Sequence, residues 1–369
     1  MEYRPYECDT AEGPPSSRSQ ACKDSLQFRV YSLRGSRGAA RPRGHPLRGR
    51  RPARIRCNSA SILFVARPLR FLPAGSLVEV TMRTLHGRLL LRPSPRANDL
   101  IVGVVGRAQH KYGMRIHILV FLSNHAHLLL SPESPQQLAA FMDYVAGNVA
   151  REIGRLHHWR EKFWSRRYRA ILVSHEEEAQ VARLSYLLGN GVKEGLVERP
   201  HHWPGVHCAR ALCGASELHG TWIDRTAQYE ARRRGETKSP ADFGTSERVV
   251  LSQLPCWAEL PPAVYRDRVV ALVRQISDEG RRRRAGRPVL GRKAILGQRP
   301  HDEPFHHDRS PAPLVHAATK AIRLMLRTAY WQFVAAYREA ALRLRRGDRV
   351  VRFPQGAFPP PMPCIAPSG

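Results

Sequence analysis

Two apolar runs separated by a polar pair constrain this chain most. Residues 115–122 (RIHILVFL) read as a strongly apolar strand, Ser123-Asn124 makes a turn, and His125-Ala126-His127-Leu128-Leu129-Leu130 returns. Other elements flank this hairpin. Residues 77–85 (LVEVTMRTL) have the β-rich, roughly alternating pattern of a strand. Asp99 can cap a helix running to about Tyr112, with Leu100, Val104 and Ala108 on one face and Gly113 at its end. After Pro132 and Pro135, a long helix is predicted from about Gln136 to Leu156. Its buried stripe is Leu138, Phe141, Met142, Val145, Val149 and Ile153. The later part of Lys162 to Val173 is a fourth strand. Ser174 can cap a further helix, with Glu176, Glu177 and Glu178 in its first turn, where the helix dipole favours negative charge. That helix runs to about Leu188, or on through Asn190. The order strand, helix, strand, strand, helix, strand, helix is a ferredoxin-like α+β pattern with an added helix.

The flanks differ. Residues 1–76 read as a disordered basic arm, because the Arg-rich, acid-free stretch from Arg29 to Arg56 holds too little apolar surface to offset chain entropy. Residues 77–205 form the ordered domain, and residues 206–369 a mainly helical extension of unassigned role. In it, helices are expected near Pro262–Arg281 and Pro313–Arg346, the second packing through Ala317, Ile322, Met325, Ala329, Phe333 and Ala336.

The net charge of +29 points to a polyanionic partner, nucleic acid first, although GC-rich coding alone also yields Arg-rich sequence. No apolar run reaches bilayer length and no signal-peptide stretch opens the chain, so it reads as soluble, cytoplasmic and without membrane contact. The seven cysteines, Cys8, Cys22, Cys57, Cys208, Cys213, Cys256 and Cys364, contain no CxxC, which argues against a zinc ribbon or a disulfide framework.

Two motifs could carry chemistry. His125 and His127 are alternate residues of a strand, so their rings share a face and could converge on one divalent cation. They could equally be a surface pair or satisfied core polar groups. Tyr186 and Asn190 lie four apart and share a helix face. The phenol is a poor nucleophile near neutral pH, because its ordinary pKa is about 10, and a metal could activate its attack on phosphate. Tyr144 with Asn148 has the same spacing in the earlier helix. The histidines at 301, 306, 307 and 316 are too irregularly spaced to suggest a metal site.

Taken in order, the motifs resemble one family. VFLSNHAHLLLSPES (120–134), KFWSRRYRAILVSHEEE (162–178) and RLSYLLGNGVKEGLVERPHHWPG (183–205) are similar to the single-tyrosine HUH transposases, especially the REP-associated tyrosine transposases and their insertion-sequence relatives. Gly191 stands where that family usually has Pro, and residues beyond about 215 have no counterpart. The resemblance implies that His125 and His127, with Asn190 as third ligand, bind Mg²⁺ or Mn²⁺. It implies that Tyr186 attacks a DNA phosphate, forming a 5′-phosphotyrosine link and releasing a 3′-hydroxyl. Single-stranded or hairpin DNA would be the partner, and the protein bacterial and nucleoid-associated. A homodimer is compatible with it, since in some relatives the tyrosine helix reaches a partner subunit. A non-catalytic nucleic-acid-binding protein reusing the fold, or a host nickase, would read alike.

Trp164, Arg166, Arg167, Tyr168 and Arg169 could hold single-stranded DNA by stacking and charge. Arg284 and Arg287 lie in a basic run resembling an AT-hook, an arm that lays Arg into the minor groove. A plain basic linker would look the same.

Overall fold

A computed structural model of the chain describes residues 69–304 and 313–358. Most of the expected arm, together with Cys8, Cys22, Cys57, Cys364, His306 and His307, lies outside them. The first elements are β1 (Leu77–Arg83), α1 (Pro95–Tyr112), β2 (Arg115–Leu122), β3 (His125–Ser131), α2 (Pro135–Leu156) and β4 (Arg169–Val173). Then come α3 (Glu177–Leu188) and the short α4 (Asn190–Lys193), followed by α5 (Ala209–Leu212), β5 (Leu218–Ile223), α6 (Arg225–Arg233) and β6 (Gly244–Val249). The chain continues through α7 (Pro262–Arg284), α8 (Gly291–Leu296), β7 (Val315–His316) and α9 (Lys320–Arg345).

The main sheet has the order β2-β3-β1-β4-β7, with β1 to β4 antiparallel and β7 added parallel to β4. The first four strands and two crossover helices are the ferredoxin-like α+β arrangement expected from the sequence. Register follows from the pleat, because cross-strand partners share a face. Thr81 pairs with both Arg169 and His127, and His127 pairs with Val120, so these four make one row across the sheet. In the next row His125 pairs with Arg83 and Leu122.

Helix boundaries follow local chemistry. α1 begins one turn before the expected site: the Ser94 hydroxyl accepts from Ala97 N and Pro95 takes the first position. Asp99 instead reaches outward, accepting from the amide and hydroxyl of Thr221 at 2.9 Å each. Gly113 ends α1 at φ 63°, a conformation that favours glycine. α2 repeats the design with Ser134 and Pro135. Ser174 does not cap α3. The N-cap position is Glu176, and the Ser174 hydroxyl donates to its carboxylate. Gly189 interrupts the expected continuous helix, dividing α3 from α4.

The extension is not a separate layer. One cluster of buried apolar side chains runs from Leu72 through the sheet and α1–α3 to Trp257, Val269, Ile295 and Val315. The β5–β6 hairpin lies on α1 so closely that a Cβ on Gly103 would sit 2.2 Å from the Thr221 carbonyl carbon. That is backbone against backbone, with no flexible side chain to yield. Gly103→Ala is expected to cost about 3 kcal/mol, the upper end of overpacking penalties. Gly147→Ala, in α2 with only Arg151 within 4 Å, is expected to be neutral or to stabilise by roughly 0.5–1 kcal/mol. Urea midpoints of the two variants check this, and equal midpoints would refute the close contact.

Residues 69–72, assigned to the arm from the sequence, dock instead. The Tyr330 hydroxyl donates to Leu69 O, Phe71 stacks on Phe333 at 4.5 Å, and Leu72 N donates to Gly356 O. α9 starts after β7, at Lys320, and only part of its predicted packed face holds. Phe333 is buried, whereas Met325 and Ala336 are exposed. The contact face of the helix runs instead through Leu326, Tyr330, Phe333, Val334, Tyr337 and Ala340, which leaves Met325 and Ala336 off it. No described helix is long and apolar enough to cross a membrane.

Candidate active site

β3 places His125 and His127 on one face, as alternation requires. Their ring centroids are 5.0 Å apart and the rings stand edge to face. Each ring is oriented through Nδ1. His127 Nδ1 lies 3.2 Å from Glu79 Oε1 and 3.2 Å from Thr81 Oγ1. His125 Nδ1 is 2.6 Å from Asn124 Oδ1. An Nδ1 held this way makes Nε2 the ring atom that can coordinate.

Asn190, the first residue of α4, is buried with its side-chain amide nitrogen 3.2 Å from His125 Nε2. Rotating that amide by 180° would bring its oxygen to the same position. Gly191, in the family's Pro position, faces Leu122, Val197 and Trp203, where an added Cβ would make ordinary contacts of 3.4–3.9 Å.

Tyr186 projects from the last turn of α3 and is 41% exposed, open enough to meet a polymer. Two cations flank its ring: the Arg183 guanidinium 4.1 Å and the Lys193 ammonium 4.9 Å from the centroid. Partial burial of the hydroxyl raises its pKa above the usual phenol value, outweighing the opposing pull of Arg183. The phenol is therefore protonated at neutral pH.

Glu79 ties these groups together and was not evident in the sequence. It sits in β1 at 3% exposure. Burial alone would raise its pKa, but His127, His316 and Arg183 together hold it well below the usual carboxylate range. The irregular histidines thus conceal one relevant member: β7 brings His316 Nε2 to 3.0 Å from Glu79 Oε2. His301 lies instead against Trp159. The only advance signal for Glu79 was an acid inside an apolar strand.

The rival pair is elsewhere. Asn148 donates to the Tyr144 carbonyl within α2, and Tyr144 packs on Tyr112 of α1. Among the residues expected to hold DNA, Arg166, Arg167 and Arg169 are exposed, with Arg169 in the same cross-strand row as His127. Trp164 is half-buried and its indole N–H donates to Ala146 O, so it packs on α2 rather than standing open for a base. Tyr168 is half-buried beneath Arg70. Arg284 and Arg287 do not form an extended arm. Arg284 ends α7, and Arg287 Nε donates back to the Arg284 carbonyl as a helix cap.

Among the described residues, no group of three or more His, Cys, Asp and Glu is arranged to hold a metal. The candidate set is two imidazoles and an amide. Two surface hollows, of about 510 and 390 Å³, are lined by residues around Trp159 and around His201 respectively, and neither includes His125, His127, Tyr186 or Asn190.

Comparison with known proteins follows the same motifs. Residues 95–185 match the family model described as Transposase IS200 like, a segment that includes both histidines and stops one residue short of Tyr186. No curated protein matches the chain. Among solved structures, the chain is similar to a REP-associated tyrosine transposase bound to a REP hairpin. Identity is 16%, the TM-score is 0.31, and 37% of this chain and 77% of that one are covered. It is also similar to a protein of Deinococcus radiodurans r1 described as a transposase, at 20% identity and a TM-score of 0.23, over 29% of this chain and 86% of that one. Residues 95–185, about a quarter of the chain, are thus similar to the IS200-like transposases.

Proposed function

We propose that this protein nicks and rejoins single-stranded or hairpin-bearing DNA through Tyr186, in a transposase-like reaction. The observation that carries this reading is the meeting of the two motifs. Asn190 touches His125, while the helix bearing Tyr186 is joined through Arg183 and Glu79 to His127. The Tyr186 oxygen forms a bond to phosphorus, the bond from phosphorus to O3′ breaks, the phenolic proton is lost and the departing oxygen takes up a proton. The products are a 5′-phosphotyrosine and a 3′-hydroxyl. The covalent link conserves the phosphodiester energy, so reversal by a 3′-hydroxyl needs no nucleotide triphosphate.

His125, His127 and Asn190 would hold a divalent cation. The engaged Nδ1 atoms fit this role, and two imidazoles suit Mn²⁺ better than the oxygen-seeking Mg²⁺. When bound, such a cation would polarise the phosphate under attack. Lys193, beside the Tyr186 ring, would attract the DNA backbone, as would the exposed Arg166, Arg167 and Arg169.

A nicking assay on hairpin-bearing single-stranded DNA tests this. Wild-type protein is expected to cleave with Mn²⁺ and to stop when the metal is chelated. His125→Ala is expected to lower cleavage at limiting Mn²⁺ by at least ~10-fold. Cleavage indifferent to chelation would remove the metal role. DNA binding with no cleavage under any condition would leave a binding module built on the same fold.

A further inference from the structure

Four elements, including one far outside the matched segment, meet at a single buried carboxylate. Glu79 is supplied by β1, His127 by β3, Arg183 by α3 and His316 by β7. The two carboxylate oxygens have separate partners. Oε1 faces His127 Nδ1 at 3.2 Å and the Thr81 hydroxyl at 3.3 Å. Oε2 lies 3.0 Å from His316 Nε2 and 3.3 Å from Arg183 Nε, contacts set by charge and distance rather than by ideal alignment. Arg183 Nη1 is in turn 3.0 Å from both ring nitrogens of His316.

The chemistry of His316 follows from these neighbours. Burial first, and Arg183 second among the lowering influences, hold its pKa below the ordinary histidine value despite the pull of Glu79. The ring is neutral at neutral pH. A neutral imidazole has one N–H, and only Nε2–H can serve Glu79 while Nδ1 accepts from Arg183.

The position does not demand a histidine for folding alone. β7 needs only backbone groups: it pairs with Leu172 and Val173, and the His316 carbonyl accepts from Ser174 N at 2.9 Å. Val315 supplies the buried apolar side chain. The His316 imidazole is aimed instead at the carboxylate that orients a candidate ligand.

We propose that His316 is a positioning residue for the candidate metal site: together with Arg183 it fixes Glu79, and Glu79 fixes the ring of His127. The extension therefore contributes the His316 side chain to the polar network behind the site. The metal-affinity consequence rests on the reading of His125 and His127 as ligands. The ring-positioning consequence does not.

The test uses the full chain with ¹⁵N-labelled histidine, as wild type, His316→Leu and His316→Gln. In the metal-free protein, His127 is expected in a single Nδ1–H form in wild type and as a mixture of tautomers in His316→Leu. Mn²⁺ affinity, read by the spin-resonance signal of free Mn²⁺, is expected to fall about 10–100-fold in His316→Leu. His316→Gln, which retains a donor, is expected to recover most of both properties. Unchanged His127 resonances in His316→Leu overturn the proposal. If wild-type protein takes up no Mn²⁺, the ligand reading falls while the His127 resonances still decide the role of His316. Should His316→Leu fail to fold, the comparison of His316→Gln with His316→Asn, whose amide is one carbon shorter, decides in the same way, and identical His127 spectra would count against it.

Discussion

Tyr186→Phe is expected to abolish the covalent protein–DNA adduct, a loss of more than about 10³-fold, while DNA affinity stays within about twofold of wild type. Removing a nucleophile eliminates the bond-forming atom, and losses of this order accompany removal of such groups in other enzymes. The fold has little reason to change. The ring is held between Arg183 and Lys193, and Phe retains the π-face those cations contact. The hydroxyl is partly buried beside Arg183, and that guanidinium keeps Glu79 as its charged partner when the hydroxyl is removed. The measurement is adduct retention on a denaturing gel beside a binding titration at fixed salt. A persistent adduct in Tyr186→Phe shifts the chemistry to another residue. Tyr144→Phe serves as the control and is expected to leave the adduct intact.

Acidification is expected to destabilise the protein well before its carboxylates protonate. His117 and His207 are buried, and burial lowers each to about 4. His117 lies at the irregularity in the β2–β3 pairing, with Nε2 2.8 Å from Ser131 Oγ and Nδ1 3.1 Å from Ser252 O. His207 accepts from Ala209 N and faces Leu188 O. In the unfolded chain both take up a proton near the ordinary value of about 6.5. Between about 6.5 and 4 the unfolded state therefore binds more protons, and stability falls as pH falls. By pH 5 each histidine contributes a loss of roughly 2 kcal/mol, about 4 together. Glu79, whose pKa is lowered, keeps its contribution down to about pH 5 and begins to lose it only as pH falls through the ordinary carboxylate value of 4.5. Urea midpoints at pH 7 and pH 5 read the effect. A flat profile would show that the two rings are hydrated in the folded state, and His117→Asn is expected to halve the slope.

The sheet and the two motifs were legible because their signals are local. Alternation placed His125 and His127 on one face; the single helix face expected for Tyr186 and Asn190 is instead interrupted at Gly189, with Tyr186 exposed and Asn190 buried. Helix starts were less secure where two capping residues competed. Ser94 takes that role in α1 because Pro95 suits the first helical position, which releases Asp99 to bind Thr221. Glu79 and His316 were hidden for another reason. Nothing local marks a carboxylate whose partners come from β3, α3 and β7, and two-residue β7 is too short to have a period. Trp164 and Tyr168 show the converse error. A basic-aromatic string suggests stacking surfaces, but Phe163 is buried, Trp164 packs on α2 and Tyr168 lies beneath Arg70.

The borders of the sheet have a consequence for how two copies of the molecule could associate. On the β2 side, Phe121 N donates to Val206 O, Cys208 N to Leu119 O and Ser252 N to Ile116 O. On the other side, β7 occupies the end of β4. Lone rows of amides and carbonyls invite another chain to add a strand, and here later parts of the same chain bond to β2 along its length and to the last two residues of β4. Self-association by one continuous intermolecular sheet is thereby disfavoured, and any pairing of protomers would fall to helical or loop surfaces.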